Sequence, residues 1–422
     1  VQDESKVSGA GKKTILYDQE KGTVTSSNGE LKDKTSDKAE NINEYNRQEF
    51  KYNKLIPQIT GSFNPDDGIF IGGGFTSINH KFRKNPFGSR HTLSFAIAPR
   101  SASFNFKYKA EYTDAIGNLD FLYEVDVFEP SFADFFYGFG NRTMLDEDAR
   151  DEDSQYYRAR YGQLFFKPAL RSVSKNERHT FTFGGYYRSV LIDEEDNDPE
   201  ENRFLNNYIE EIDRGEGAED KLIDERRNYA ALTLDYQFDT RDARFLPTKG
   251  VVWNAGGRLV SQFGDEENSY QNLKSDFSTF FSFGGALKTT LALRVGGEAN
   301  FGGFEFYQAP RLGGLNTLRG YRRTRFAGDQ SFYQNTDVRI KLLEYRTPLF
   351  PGSLGITLIH DIGRVWTEQE DGFLRDGEKE EWHRGIGGGI WIAPLGQAVI
   401  SFDYTVSNDD ETGIFVRFGF LF

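Results

Sequence analysis

Phe104–Tyr112 reads FNFKYKAEY, with Phe104, Phe106, Tyr108, Ala110 and Tyr112 alternating with Asn105, Lys107, Lys109 and Glu111. Successive side chains of a β-strand point to opposite faces, so the segment has one apolar face and one charged face. The same period recurs at Ala230, Leu232, Leu234, Tyr236 and Phe238, interleaved with Thr233, Asp235, Gln237 and Asp239. It recurs once more at the end, where Ile414, Val416, Phe418, Phe420 and Phe422 share one face and Gly413, Arg417 and Gly419 fall on the other. Reading outward on this period predicts fifteen strands, the first at Gly68–His80 and the last at Gly413–Phe422.

The composition agrees with alternation. The 422 residues include 39 Phe, 21 Tyr, 4 Trp and 44 Gly, yet mean hydropathy is −0.62. Each window averages to polar while one face stays apolar. No stretch approaches the roughly 18 apolar residues of a spanning helix, which excludes a helical membrane protein. With Cys 0, disulfides, thiolate catalysis and Cys-ligated zinc are excluded as well. Lys+Arg 51 against Asp+Glu 65 leaves a net charge of −14, the wrong sign for a nucleic-acid binder. A large soluble all-β protein and a transmembrane barrel remain.

Loop asymmetry decides between them. Working back from the C-terminus, Ser407–Thr412, Thr367–His383, Phe301–Asn335, Ser261–Leu273 and Ile192–Arg227 fall on one side. Ala393–Gln397, Arg346–Gly352, the Lys288 turn, Arg241–Lys249 and Lys175–Arg178 fall on the other; they are short and carry Pro247, Pro348, Pro351 and Pro394. The acidic runs Asp146–Asp153, Asp193–Glu201 and Glu368–Glu381 all sort with the first set. Long polar loops outside and tight turns inside are the pattern of an outer-membrane barrel. Both chain ends then lie on the periplasmic side and the strand number is even, so a sixteenth strand is expected, at Ser131–Asn141 (SFADFFYGFGN). The expectation is an all-β, 16-stranded antiparallel transmembrane β-barrel over residues 55–422, preceded by a polar periplasmic tail or linker over 1–54. That first segment is rich in Lys, Glu, Asp, Asn and Ser and has neither an apolar signal core nor an initiator Met. This suggests a mature product or the C-terminal part of a longer protein, with trimming of the chain as the alternative.

Arg311–Arg325, RLGGLNTLRGYRRTR, falls in the long outside loop between the eleventh and twelfth strands. It resembles the inward-folded loop of the BamA-like outer-membrane assembly superfamily, the bacterial surface antigen barrels, whose core is [V/L]-R-G-[F/Y]. That core is here Leu318, Arg319, Gly320 and Tyr321. Asp239–Gly250 (DTRDARFLPTKG) resembles the family's inside turn after strand eight, and His360–Trp366 (HDIGRVW) its D-x-G-x-V strand. The chain also ends on an aromatic, Phe422, although Arg417 stands where the family's terminal signal prefers Gly. A finer resemblance is to a subgroup whose barrel follows a periplasmic metallophosphoesterase domain. It rests on Phe50–Phe75 (FKYNKLIPQITGSFNPDDGIFIGGGF), His80–Phe87 (HKFRKNPF) and Phe135–Asn141 (FFYGFGN). The D-x-H, G-D-x-x-D and G-N-H signatures of that enzyme are absent, and the residues before the barrel are too few for a POTRA domain.

The resemblance implies a barrel of the bacterial outer membrane with no enzymatic activity and no cofactor of its own, its N-terminal tail periplasmic. It would assist insertion or translocation of proteins, among outer-membrane lipid and lipopolysaccharide, with protein clients or periplasmic and surface subunits as partners and no nucleic acid. The alternative is a membrane anchor and plugged pore for a periplasmic phosphoesterase or partner complex. A passive porin is disfavoured, because an inserted loop obstructs the channel.

An arginine loop inside a water-filled bore needs a fixed partner, and a guanidinium can grip a carboxylate through two parallel bonds. Arg319 is therefore expected to pair with Asp361, with Gly320 and Tyr321 completing the lumen clamp. The competing reading makes Arg319, Arg322, Arg323 and Arg325 an exposed basic loop for lipopolysaccharide phosphates. A second candidate is a lateral seam between the first and last strands. Gly72, Gly73 and Gly74, with Gly413 and Gly419, lack side chains for cross-strand contacts there. The same glycines also suit relief of crowding where a barrel closes. No metal site is expected: the acidic residues Asp146, Asp148, Asp151, Asp153, Asp196 and Asp198 lack the glycine of a calcium-binding loop. No catalytic residue is expected either, since the tempting pair His360 and Asp361 are strand neighbours that face opposite sides. Trp253, Trp366, Trp382 and Trp391 are expected as girdle or rim residues.

Overall fold

The computed structural model describes residues 14–16, 31–33, 51–64, 68–81, 84–99, 103–141, 143, 156–192, 204–206, 226–263, 265–284, 288–347, 351–367, 381–396, 398–409 and 411–422. Its core is one sheet of sixteen strands. They are β1 Lys54–Asn64, β2 Gly68–Asn79, β3 Ser89–Ala98, β4 Ser103–Ile116, β5 Leu119–Phe135, β6 Arg158–Val173, β7 His179–Leu191 and β8 Arg226–Asp239. The second half is β9 Gly250–Gln262, β10 Asp265–Phe283, β11 Lys288–Gly302, β12 Gln330–Tyr345, β13 Gly352–Trp366, β14 His383–Pro394, β15 Ile400–Ser407 and β16 Thr412–Phe418. Every strand pairs antiparallel with its neighbour in sequence, from β1 at one edge to β16 at the other. Among the described residues these two edge strands are not paired with each other. Two short strands near the N-terminus, Thr14–Leu16 and Leu31–Asp33, pair in parallel. The rest of the proposed tail up to residue 50, and the acidic runs 146–153, 193–201 and 368–380, lie outside the described residues.

The polarity of this sheet is inverted relative to a soluble sandwich. On β8, Leu232 and Leu234 are 58% and 55% exposed, whereas Thr233 between them is 2% exposed. Ile71, Phe95, Phe183, Phe281, Ile390 and Ile414 continue the exposed apolar set on other strands. The opposite face carries Glu111, Asp126, Asn272, Asp276, Asp337 and Asp403, all buried. Leaving one large apolar side chain in water forfeits about 1.5–3 kcal/mol, so an apolar band of this extent belongs in a hydrocarbon medium. The buried polar face is held by ion pairs between strands: Lys107 with Asp126 at 2.7 Å, Arg171 with Asp120 at 2.8 Å and, at closer approach, Arg417 with Asp403.

The sheet curls around this polar face. Leu246, in the turn between β8 and β9, packs against the cluster of Trp391 and Ala393 from β14 and Val399 just before β15. Between β11 and β12, the long segment 303–329 touches β5, β8, β13 and the β15–β16 turn.

Three expectations need correction. Ser131–Asn141 is not a strand of its own. Its first half extends β5 through an irregularity between Phe128 and Phe132 that contains Pro130, a residue with no N–H for the ladder. Its second half leaves the sheet, because Gly138 (φ 90°) and Gly140 (φ 111°) adopt a backbone no strand uses. The strand missing from the fifteen is Lys54–Asn64, hidden by Pro57, which a strand tolerates at a sheet edge. Gly72, Gly73 and Gly74 accordingly sit in β2, one strand in from the edge, while Gly413 is in β16 and Gly419 (φ 114°) lies beyond its end. Finally, Trp391 is 2% exposed and donates to the Ile356 carbonyl at 3.1 Å, so it is an interior residue; Trp253, Trp366 and Trp382 are partly exposed at 41%, 38% and 39%.

Candidate functional site

Inside the curl, the segment 303–329 forms a compact loop. A short 3₁₀ turn, Phe306–Gln308, opens it, and a two-residue ladder, Arg311–Leu312 with Phe326–Ala327, closes its base. Gly313 (φ 123°) and Gly314 (φ 71°) turn the chain out of that ladder, and Thr317 Oγ1 accepts the Gly313 N–H at 3.0 Å. Leu318 then drops into an apolar cluster with Leu312, Tyr321, Phe326, Tyr333 and Val365.

That placement carries Arg319 to the wall. Its backbone N–H donates to Asp361 Oδ2 at 3.0 Å, its Nε to the same oxygen at 2.7 Å, and its Nη2 to Asp361 Oδ1 at 2.6 Å and Asp337 Oδ1 at 2.8 Å. All three residues are 0% exposed. Asp361 lies on β13 and Asp337 on β12, where the register Asn335↔Asp361 places both on the inner face. Asn335 secures the same turn, donating from Nδ2 to the Thr317 carbonyl at 2.7 Å. Asp337 is shared with Arg339, whose Nη2 lies 2.9 Å from Asp337 Oδ2, so two guanidiniums and two carboxylates form one neutral buried group. Burial opposes the charge on Arg319, but Asp337 and Asp361 outweigh it and hold the guanidinium protonated well above its ordinary range.

Gly320 (φ 106°) turns the chain away, and Tyr321 reaches the β15–β16 turn, where its hydroxyl is shared between Asn408 Oδ1 at 2.6 Å and Asp409 Oδ2 at 2.9 Å. Arg325 continues along that side, with Nε 3.0 Å from Glu411 Oε1 and its guanidinium 4.8 Å over the Phe326 ring. On the far flank Arg311 Nη1 donates to Asp134 of β5 at 2.5 Å, and Tyr307 meets Tyr229 of β8 hydroxyl to hydroxyl at 2.7 Å. Of the four arginines in the lipopolysaccharide reading, Arg319 and Arg325 are therefore turned inward, and Arg322 and Arg323 are exposed.

The structure thus brings Arg319, Gly320, Tyr321 and Asp361 into one site. It does not bring Gly72–Gly74 next to Gly413: a β-carbon on Gly72 or Gly74 would collide with the Phe95 or Leu93 carbonyl oxygen of β3, and one on Gly73 would press on the Gln58 carbonyl of β1. His360 is exposed on the outer face while Asp361 is buried on the inner one, so the two form no catalytic pair. Among the described residues no group of three or more His, Asp or Glu side chains forms a metal site.

Sequence reasoning missed Asp337, Asn335 and Gly385. Asp337 carried a signal, since it shares the inner face of β12 with Asn335 and Arg339 at a spacing of two. Gly385 on β14 carried none: a β-carbon there would occupy the position of the Arg319 carbonyl oxygen.

Residues 85–422 match the Omp85 superfamily domain. In fold the chain is similar to BamA from Haemophilus ducreyi lacking POTRA domains 1–3, with TM-score 0.57 and 14% identity over 86% of this chain and 69% of that one. It is similar also to CdiB from Escherichia coli, with TM-score 0.50 and 12% identity over 86% of this chain and 61% of the other. No curated protein matches the chain in sequence. A domain match over most of its length, on a curled antiparallel sheet with an arginine loop inside, shows that the chain belongs to the Omp85 superfamily.

Proposed function

We propose that the chain is a sixteen-stranded barrel of the bacterial outer membrane, over about residues 55–422 and with its N-terminal tail in the periplasm, that assists insertion or translocation of polypeptides. The observation that carries this is the loop 311–325 fastened inside the curled sheet by Arg319, Asp361 and Asp337, in a chain of this superfamily. A bore occupied by a hydrogen-bonded loop does not suit passive diffusion, whereas a loop fastened at one buried ion-pair group can act as a fixed internal brace while polypeptide is handled at the wall or the seam. Lipid and lipopolysaccharide contact the outer face, where the aromatic and aliphatic band lies. Gly72–Gly74, Gly413 and Gly419 remain in this proposal as residues that ease bending near the closing strands. The resemblance of Phe50–Phe75, His80–Phe87 and Phe135–Asn141 to barrels linked to a metallophosphoesterase supports the alternative, a membrane anchor and plugged pore for a periplasmic phosphoesterase or partner complex.

Depletion of the protein from its host, followed by quantitative outer-membrane proteomics, tests this. The proposal expects loss of many outer-membrane or secreted proteins. Loss of a single partner complex would replace it with the anchoring role.

A further inference from the structure

The segment directly after β5, Phe136–Asn141, leaves the sheet and is buried throughout, with Phe136, Tyr137, Phe139 and Asn141 at 2%, 4%, 3% and 5% exposure. It starts from β5 and ends on β13, eight strands away along the sheet. At its far end Asn141 lies against the backbone of Val365 as a strand would: Nδ2 donates to the Val365 carbonyl at 2.9 Å, and the Val365 N–H donates to Asn141 Oδ1 at 2.9 Å. Between these ends it crosses the arginine loop. Phe136 packs on Phe306 with ring centroids 4.7 Å apart, Phe139 forms a parallel bridge with Ala327, and the Gly140 N–H donates to the Ala327 carbonyl at 2.8 Å. Thr324 Oγ1 donates to the Phe135 carbonyl at 2.9 Å, and Arg325 Nη1 to Thr143 Oγ1 at 2.6 Å. Both flanks of the loop, 306–308 and 324–327, are therefore under the segment.

We infer that Phe136–Asn141 is a transverse strut that holds the arginine loop in the bore and keeps the bore shut, with Asn141 the positioning residue that anchors it to the opposite wall. The inference rests on the reading of the curled sheet as a closed cylinder. Three features fit a strut and no simple loop. The two glycines permit the left-handed turns that a crossing segment needs. The asparagine supplies both a donor and an acceptor, so it can continue a ladder with its side chain where the backbone has left it. Aromatic packing stiffens the span between the two fixed ends. The Asp361 clamp and the Val365 anchor sit on the same strand, β13, so the loop is held twice against one wall by independent contacts.

The test is single-channel conductance of the purified full chain in planar bilayers. Asn141→Ala removes both bonds to Val365, and the open fraction is expected to rise on the order of tenfold or more while electrophoretic heat-modifiability shows that the barrel still folds. Because the chain has Cys 0, Phe139→Cys with Ala327→Cys gives a unique pair. Bridged residues lie about 5 Å apart, within disulfide reach. Oxidation of that pair in the Asn141→Ala background is expected to return the open fraction to the wild-type level, and reductant to raise it again. A folded Asn141→Ala that conducts as wild type, in a system where Asn141→Ala combined with Arg319→Ala does conduct, overturns the strut alone. Absence of conductance in that double variant overturns the cylinder and the strut together. If Asn141→Ala does not fold, Asn141→Ser, whose shorter side chain cannot make both bonds to Val365, takes its place in the same assay: an open fraction at the wild-type level overturns the inference.

Discussion

A β-carbon on Gly385 would stand in the place of the Arg319 carbonyl oxygen. The loop lies flush against β14 only because that strand has no side chain at this point; a β-carbon is fixed by its own backbone and the group it would meet is a backbone carbonyl, so neither can swing aside. Gly385→Ala is expected to displace the loop at a cost of about 1–3 kcal/mol, seen as a lower heat-modification temperature. Gly257→Ala is the matched control. A β-carbon there meets only the end of Leu273, 3.5 Å away, and folding should be unchanged.

Arg319 makes four hydrogen bonds, three to Asp361 and one to Asp337. Arg319→Ala leaves two buried carboxylates with one guanidinium, an imbalance that costs roughly 3–5 kcal/mol. Arg319→Lys should recover little of it, since an ammonium has no planar fork to reach both acids. A double-mutant cycle by thermal unfolding separates the pair: Arg319→Ala with Asp361→Asn should destabilise by clearly less than the sum of the single changes. Strict additivity would show that the two do not act as a unit.

The inverted polarity of β8 gives opposite results at adjacent positions. Leu232→Arg or Leu234→Arg places a charge on the lipid face and should cost about 2–4 kcal/mol near the midplane. Thr233→Val changes an inner residue whose buried hydroxyl lacks a hydrogen-bond partner among the described residues. It should be neutral or mildly stabilising, because no bond is lost and an unsatisfied group is removed. Refolding equilibria in lipid vesicles measure all three. An equal cost at 232 and 233 would contradict the assignment of faces.

Two tyrosines of the inner segments predict an alkaline transition. Burial raises Tyr137 to about 12 against the opposing pull of Arg322 and Arg325, and burial, with Tyr229 and Glu305 nearby, raises Tyr307 well above its ordinary value. A folded-state pKa above the unfolded one stabilises the fold fully below the unfolded value, near 10, and that contribution is lost as pH climbs from there towards 12. Tyrosinate absorbance should therefore show a late class that titrates together with loosening of the inner loop. Tyr137→Phe should shrink that class and blunt the pH dependence. Ionisation of every tyrosine near pH 10 with no change in folding would exclude the effect.

The expected clamp and the missed strand show where sequence is legible. Alternation at Phe104–Tyr112 and Ala230–Asp239 is imposed by the two-residue period of an extended chain between lipid and an inner polar space, so it appears in the residues themselves. The position of Arg319 between β11 and β12 follows from the same count. Lys54–Asn64 was obscured because Pro57 is a strand breaker except at an edge, and only the sheet order makes this strand an edge. FFYGFGN read as a strand because its aromatics are those of a strand, although Gly138 and Gly140 turn it inward.

By itself, then, the amino-acid order determined the class of fold, the two-faced period of strands such as Phe104–Tyr112 and Ala230–Asp239, and that one arginine loop needs a carboxylate partner. It put Phe420 and Phe422 on the face of Ile414 and Val416, whereas Gly419 (φ 114°) breaks the period and both rings pack inward, against Arg339. Only the tertiary structure decided that Asp337 joins Asp361, that Gly385 makes room for the loop, and that Phe136–Asn141 crosses from β5 to Val365. Those relations join residues tens to hundreds of positions apart. They depend on how far the sheet curls and how its strands are staggered, which no local period of apolar and polar residues encodes.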